Sequence, residues 1–309
     1  MKILKGLFAL LAIVLVTLTS YVYRLTGYPA EIKPIEQNKP AQFTDWKAAL
    51  SGAAMVDYKL LQVGRIVMDR NLLMQGAPDS YPQRYTALPV LSHWIRHPVY
   101  GEYLVDAGFS KSFKNNSGGN YNWLMRTIAS LSGIENSLEK SLELQLNHKV
   151  GRINGVMVTH FHPDHSSGIS DLPTGTSVIA DEKEYDFIAR LSNTALFTED
   201  YDWHGIDFTK GSKIAPFTSV VDVFGDGAVW AVSTPGHTKG HTSYLLNTTQ
   251  GIKFVVGDAS HFGYAYDNNY APAALSGELR QQAAETLASI KTFASQHPDI
   301  KLIFGHQLP

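Results

Sequence analysis

The chain opens with a long apolar run that follows two lysines. Lys2 and Lys5 precede and flank residues 6–23, none of which is charged. A membrane-spanning helix needs about 20 mostly apolar residues, whereas a cleaved signal peptide has an apolar core of about 7–15 residues followed by a small-residue cleavage pattern. Because that cleavage pattern is poor here, the sequence favours an uncleaved signal anchor over a cleaved signal peptide across residues 1–26. The lysines predict an exported body, in the periplasm or on the extracytoplasmic face, anchored by residues 6–23.

The pattern then changes to a polar stretch with prolines, followed by alternating strands and helices. Residues 27–43 have the composition of a linker, and one folded domain is predicted over residues 44–309. Short apolar runs predict strands at 57–68, 88–95, 103–105, 154–159, 177–180, 228–233, 243–247, 253–257 and 301–304. Capping residues and helical spacing predict helices at 45–54, at 181–191 and at 277–295, and two helices within 122–146. Trp203 and His204 are assigned to a polar loop. This alternation indicates the α/β class.

Composition narrows the possible functions. The 26 basic and 28 acidic residues give a net charge of −2. This balance argues against a nucleic-acid partner, because phosphate binding favours a basic excess. The chain has no cysteine, which excludes disulfides, thiolate metal ligands and cysteine nucleophiles.

One dense group of metal-binding side chains directly follows an apolar strand. Residues 156–158 lead into His160, His162, Asp164 and His165. Imidazole and carboxylate are common zinc ligands, and imidazole also suits iron. His160 and His162 point the same way if the backbone is extended, and the turn at the following proline directs the other two elsewhere. That geometry suits two metals rather than one.

Further histidines and aspartates follow other apolar strands. His237, Asp258 and His306 each lie one to four residues beyond a predicted strand. The carboxyl ends of strands are where α/β sheets place their sites. The repeated placement predicts that all of these side chains share one site.

Together these residues resemble the metallo-β-lactamase superfamily of metallohydrolases, from residue 57 onward. The resemblance implies a four-layer αβ/βα sandwich with two metals at one edge, and Asp106 as an early structural aspartate. It assigns one metal to His160, His162 and His237, the other to Asp164, His165 and His306, and a bridging role to Asp258. The ions are expected to be divalent, with zinc favoured and iron, manganese or cobalt possible.

The resemblance narrows further to N-acyl homoserine lactonases, the quorum-quenching enzymes that open a lactone ring. It rests on residues 61–65, on the strand beginning at Leu88 and on residues 304–306. The implied reaction is attack of a metal-bridging hydroxide on an activated carbonyl of a small lactone or ester. Asp164, Asp258 and His261 are the candidate catalytic residues, with His261 standing where the lactonases carry a tyrosine.

Other activities stay open at this point. A glyoxalase II-like thioesterase or another ester hydrolase shares the same ligands. A β-lactamase is disfavoured, because class B enzymes lack the bridging aspartate that Asp258 resembles. A non-catalytic metal-binding protein would be expected to have lost ligands, and none is lost. The sequence does not fix the oligomeric state.

Overall fold

The computed structural model describes residues 2–27, 29, 31–35, 43, 45–79, 81 and 83–309, with side chains from residue 12 onward. Within these residues the helices are α1 Lys2–Thr26, α2 Trp46–Leu50, α3 Arg70–Leu73, α4 Trp123–Leu131, α5 Leu142–Gln145, α6 Pro163–Ser166, α7 Phe187–Ser192, α8 Gly263–Asp267 and α9 Gly277–Gln296. The strands are β1 Lys33–Pro34, β2 Asp57–Asp69, β3 Tyr85–His97, β4 Gly101–Val105, β5 Glu135–Leu138, β6 Ile153–Met157, β7 Ser177–Asp181, β8 Asp202–Ile206, β9 Ser212–Ile214, β10 Phe217–Asp222, β11 Val229–Ser233, β12 Thr242–Leu246, β13 Lys253–Gly257 and β14 Lys301–Phe304. The mixed α/β fold expected from the sequence is confirmed.

The strands form two sheets. The larger sheet has the order β1-β8-β7-β6-β4-β3-β2-β5, and the smaller has the order β14-β13-β12-β11-β10-β9. In the larger sheet β4, β6, β7 and β8 run parallel to one another. In the smaller sheet β13 and β14 are parallel. The carboxyl ends of these parallel strands therefore meet at common edges.

Alternating side chains divide the apolar core into layers. Along β4 and β6, Leu104 and Val156 belong to one apolar cluster, whereas Val105 and Met157 belong to another. The second cluster also contains Tyr244 from the smaller sheet. Because successive side chains of a strand point to opposite faces, each of these strands is buried on both sides. The two sheets thus pack face to face around a shared apolar layer.

Helix α9 covers the outer face of the smaller sheet. Ile290 and Phe293 of this helix pack with Trp230 in a further apolar cluster. The Thr286 hydroxyl donates a hydrogen bond to the Pro235 carbonyl oxygen at 2.7 Å. This bond fixes the helix to the loop that follows β11, where the predicted ligand His237 lies.

Helix α1 is attached to the body at its carboxyl end. An Arg190 guanidinium nitrogen donates to the Gly27 carbonyl oxygen at 3.0 Å, and the Thr194 hydroxyl donates to the Leu25 carbonyl oxygen. A search of the described residues finds no helix with both the length and the apolar character needed to cross a membrane. The expectation of a membrane anchor at residues 6–23 is therefore not supported.

Part of the predicted linker is paired in the structure. Residues 28, 30 and 36–42 of the 27–43 segment lie outside the described residues. Lys33 and Pro34 form β1 and pair in parallel with His204 and Gly205 of β8. The assignment of Trp203 and His204 to a loop is wrong, because both belong to β8, which is aligned on β7 over its whole length.

Two predicted helical segments differ from the structure. Within residues 122–146 the second predicted helix is wrong over β5, which pairs antiparallel with residues 64–67 of β2. This pairing satisfies backbone groups that the edge of β2 would otherwise expose. The predicted helix at 181–191 is divided into a 3₁₀ turn, Glu182–Glu184, and helix α7. Glu184 is buried at this break.

Candidate metal centre

All seven predicted metal ligands meet at one edge of the sandwich. The loop and short helix after β6 carry four of them, and the ends of β11, β13 and β14 supply one each. Two groups of ligand atoms form there, with all atoms of a group within 4.8 Å of one another: His160, His162, His237 and Asp258 in one group, and Asp164, His165 and His306 in the other. Ligands from both sheets therefore converge on one place.

The Asp258 carboxylate lies between the two groups. Its Oδ2 is 3.4 Å from His237 Nε2 in the first group and 3.4 Å from His165 Nε2 in the second. Its Oδ1 is 3.3 Å from His306 Nε2. A carboxylate can offer one oxygen to each of two cations. The geometry thus places Asp258 where a bridging ligand would stand.

In His165 and His306, a hydrogen bond at Nδ1 leaves Nε2 free to face the metal centre. His165 Nδ1 is 2.8 Å from Asp106 Oδ2, and His306 Nδ1 is 2.9 Å from the Pro89 carbonyl oxygen. The Nε2 atoms of both histidines are buried without a hydrogen-bond partner, as is that of His160. Such orphaned nitrogens are costly unless something binds them. Their convergence with carboxylates fits a pair of divalent metals, whose histidine ligands are typically oriented by such outer hydrogen bonds.

Asp106 is the outer hydrogen-bond partner of His165 in the second ligand group. Its backbone has a φ of 56°, a conformation that aspartate and asparagine tolerate better than most residues. Its carboxylate accepts hydrogen bonds from the Thr159 amide at 2.7 Å and from the Thr159 hydroxyl at 2.8 Å, in addition to His165. This supports the structural role that the resemblance implied for Asp106.

The buried charges of the cluster shift one another's pKa values. Burial lowers the pKa of His165, but the carboxylates of Asp258, Asp164 and Asp106 outweigh burial and raise that pKa well above its usual value. Burial lowers the pKa of His160 well below its usual value, and nearby imidazoles add to the effect. Burial works to raise the pKa of Asp258, yet surrounding imidazoles hold it well below the usual range. Asp258 is therefore ionised and His160 neutral, the states in which each binds a metal.

Two glycines allow the backbone to approach the cluster. A Cβ atom at Gly305 would lie 2.1 Å from Asp258 Oδ1, and one at Gly257 would lie 2.9 Å from His241 Nε2. Gly257 also has a φ of 55°, which favours glycine. The small residue directly before His306 is thus required for His306 and Asp258 to stand side by side.

His261 lies within the cluster rather than at its rim. Its Nε2 is 3.3 Å from Asp258 Oδ2, and its ring is stacked on that of His306. The side chain is buried, and its Nδ1 has no hydrogen-bond partner. His261 can therefore donate or accept a hydrogen bond toward a bound molecule.

A cavity of about 520 Å³ opens above these residues. His162, Asp164, His237, Asp258 and His261 form its polar floor. The walls are mostly apolar and include Ile66, Met68, Leu72, Met125, Ile128 and Leu275. This arrangement suits a small molecule with a polar reacting group and an apolar tail.

Sequence reasoning missed two residues that shape the site. Thr159 was not singled out, although its amide and hydroxyl join Asp106 to the ligand loop. Glu184 lay inside a predicted helix, yet its carboxylate contacts two ligand-bearing loops. Neither residue belongs to the histidine and aspartate pattern that marks the ligands in the sequence, so only the tertiary contacts reveal them. Tyr264, three residues after His261, packs at a tilt against Tyr81 and is not among the residues that line the cavity.

Comparison with known proteins gives sequence relatives that include two groups of enzymes. No protein-family model matches the chain. The N-acyl homoserine lactonase AttM of Agrobacterium fabrum is 26% identical over 156 residues, which cover 49% of this chain and 57% of AttM. The hydroxyacylglutathione hydrolase of Neisseria meningitidis serogroup A is 37% identical over 101 residues, covering 33% of this chain and 32% of the relative. The matched segments thus span about half or less of these relatives.

Solved structures extend the likeness over most of the chain. A quorum-quenching N-acyl homoserine lactone hydrolase superposes with a TM-score of 0.58 at 21% identity, covering 82% of this chain and 93% of the other. A quorum-quenching N-acyl homoserine lactone lactonase gives a TM-score of 0.58 at 20% identity, with the same coverage. Identities this low establish the fold alone. The chain therefore has the fold of the metallo-β-lactamase superfamily, and its resemblance to metallohydrolases of that superfamily, including N-acyl homoserine lactonases, is confirmed.

Proposed function

We propose that this chain is a dinuclear metal-dependent hydrolase that opens a lactone ring, with an N-acyl homoserine lactone as the substrate type. The observation that carries the proposal is the position of Asp258, which contacts both ligand groups at the floor of an apolar cavity. The polar floor matches a lactone carbonyl, and the apolar walls match an acyl chain. The similarity to AttM supports the same substrate type.

Each of the two ligand groups would bind one metal ion. One ion is assigned to His160, His162 and His237, the other to Asp164, His165 and His306, and Asp258 to both. Zinc is the proposed metal because histidine and carboxylate ligands suit it, although iron, manganese and cobalt take the same ligands. When bound, such a pair lowers the pKa of water toward neutrality and polarises the substrate carbonyl.

Residues of the chain itself then orient the reactants. Asp164 and Asp258 accept hydrogen bonds from the attacking water and so direct its lone pair toward the carbonyl carbon. His261 donates a hydrogen bond to the carbonyl oxygen as negative charge develops there. Ring opening forms one carbon–oxygen bond and breaks the ring ester bond, and the leaving alkoxide takes up the proton that the water has lost. The product is a hydroxy acid, which releases one proton to solvent and becomes a carboxylate with a free hydroxyl on the same molecule.

The decisive experiment combines metal analysis with three substrates. We expect about two zinc ions per chain and faster hydrolysis of a long-chain homoserine lactone than of a thioester or a β-lactam. Asp258→Ala should lower lactone hydrolysis by more than about 100-fold, since even the outer partners of metal ligands are worth 10–100-fold. Asp267→Ala, an exposed aspartate nine residues further on, is the matched control and should keep full activity. Two metals without lactone hydrolysis would contradict the lactonase assignment.

A thioesterase is the second candidate. The 37% identity to a hydroxyacylglutathione hydrolase over 101 residues favours it. A glutathione thioester that is hydrolysed faster than the lactone in the same assay would establish this alternative and would leave the dinuclear site unchanged.

We also propose that the protein acts outside the cytoplasm. The lysines and the apolar run of residues 6–23 support this location. Ile13, Leu15 and Val16 also expose more than half of their side-chain surface, as expected of a segment that is not part of the packed body. Full-length protein fused at its carboxyl end to alkaline phosphatase, which is active only after export, should give active phosphatase. An inactive fusion beside an active cytoplasmic reporter would contradict the proposal.

A further inference from the structure

Glu184 is a buried carboxylate that the proposed reaction does not use. It ends the 3₁₀ turn after β7 and is 3% exposed. Burial raises its pKa to about 7, so holding this group as a carboxylate is costly. A buried carboxylate needs hydrogen-bond donors to stabilise its charge. The donors to Glu184 lie in the two loops that carry metal ligands.

The two oxygens of Glu184 serve different loops. Oε2 accepts a hydrogen bond from the Phe161 amide at 3.1 Å, and Oε1 accepts one from the Gly240 amide at 2.9 Å. Phe161 lies between His160 and His162, whereas Gly240 lies three residues after His237. One loop follows a strand of the larger sheet and the other follows a strand of the smaller sheet. The carboxylate therefore spans the gap between the two sheets at the site.

These contacts hold the first ligand group at its spacing. His160 and His162 come from one of the tied loops and His237 from the other, and His237 Nε2 lies 2.9 Å from His162 Nδ1. Without the carboxylate, both buried amides would lose the acceptor that they share. Hydrogen bonds to an ionised acceptor are the stronger kind.

We propose that Glu184 is a positioning residue for the first metal site, where its carboxylate fixes the two ligand loops at the separation that His160, His162 and His237 need to bind one ion. This inference rests on the proposed function for the identity of the ligands. It adds a residue of the cavity wall that belongs to neither ligand group and acts through the backbone of the loops.

Zinc affinity of the metal-free protein tests this inference independently of activity. In a His306→Ala background, which weakens the second group, Glu184→Gln should raise the zinc Kd of the remaining site by about 10–100-fold. Glutamine has one oxygen, so one amide keeps its acceptor and the other faces an NH₂ group. Glu182→Gln, an exposed neighbour in the same turn, makes the same chemical change and should leave the Kd unchanged. Competition with a chelator of known affinity gives both constants.

The outcomes separate a positioning role from a merely structural one. In the chain with His306 intact, excess zinc should restore lactone hydrolysis by Glu184→Gln toward the wild-type kcat. An unchanged zinc Kd would overturn the inference, even if the metal-free variant unfolds at a lower temperature. If Glu184→Gln does not fold, Glu184→Asp keeps the charge but has one methylene less reach, and the same weakening is expected. Wild-type protein that binds no zinc would overturn the proposed function, and the inference with it.

Discussion

Replacing Asp106 by asparagine tests how far the outer hydrogen bonds control the second ligand group. Asparagine keeps the size of the side chain and tolerates the positive φ of this position. It removes the charge and leaves one oxygen for three donors, the Thr159 amide, the Thr159 hydroxyl and His165 Nδ1. At least one donor then faces an NH₂ group.

The variant is expected to weaken metal binding mainly by changing which ring nitrogen of His165 carries the hydrogen. With aspartate present, Nδ1 keeps its hydrogen, and Nε2, which faces Asp164 and Asp258, is the nitrogen that loses its proton to bind a metal. If the asparagine NH₂ group faces the ring, Nδ1 must accept instead, and the hydrogen moves to Nε2, where it blocks a metal. Loss of a hydrogen bond to a charged group costs about 1.5–3 kcal/mol, which agrees with the 10–100-fold loss of metal affinity expected for an outer partner.

Zinc titration of metal-free Asp106→Asn, with a competing chelator, measures this effect. We expect the second equivalent of zinc to bind about 10–100-fold more weakly, while the first changes less. Asp222→Asn is the matched control, because Asp222 also accepts hydrogen bonds from two backbone amides but lies at the end of β10, away from the site. Equal affinity for both equivalents in Asp106→Asn and wild type would refute the reasoning.

Three further predictions concern packing, pH and metal removal. Gly305→Ala should lower zinc affinity by more than 10-fold, because the new Cβ would lie 2.1 Å from Asp258 Oδ1. Gly151→Ala, with open space around the new Cβ, is the control and should have no effect. Normal zinc binding by Gly305→Ala would contradict the placement of Asp258. Burial lowers the pKa of His93 to about 3, so the unfolded chain takes up a proton as the pH falls from 6.5 toward 3 and the folded chain does not. Over that pH range the unfolding free energy of the wild type should fall by up to about 5 kcal/mol more than that of His93→Gln. Denaturant titrations in which the two proteins lose the same free energy with falling pH would exclude this effect. Chelation should lower the melting temperature, since each site at 100 times its Kd in free zinc adds about 2.7 kcal/mol; calorimetry that shows no shift would argue against occupied sites.

The sequence predicted the strands and the convergence of the candidate ligands because both depend on local signals. β6 and β13 are short apolar runs buried on both faces, and such runs are recognisable without knowledge of their neighbours. The ligands follow directly after those strands, so the position of each strand end also fixed the position of the site.

The failures concern structure that depends on a distant partner. β5 contains polar residues and resembles no strand by itself, and it is extended because the edge of β2 offers it hydrogen bonds. β8 is a strand because β7 lies beside it. The break at Glu184 exists because amides from two loops surround its carboxylate. None of these partners is visible in the neighbouring sequence.

The division of the ligands between the two sheets has a consequence for how long the protein survives in a cell. Four ligands follow β6 of the larger sheet, and His237, Asp258 and His306 follow strands of the smaller one. Bound metals would therefore cross-link the two halves of the sandwich at this edge, and opening the edge would require their release. We expect proteases to cleave the protein faster in metal-starved cells than in metal-replete ones, so that zinc supply sets the amount of the protein as well as its activity.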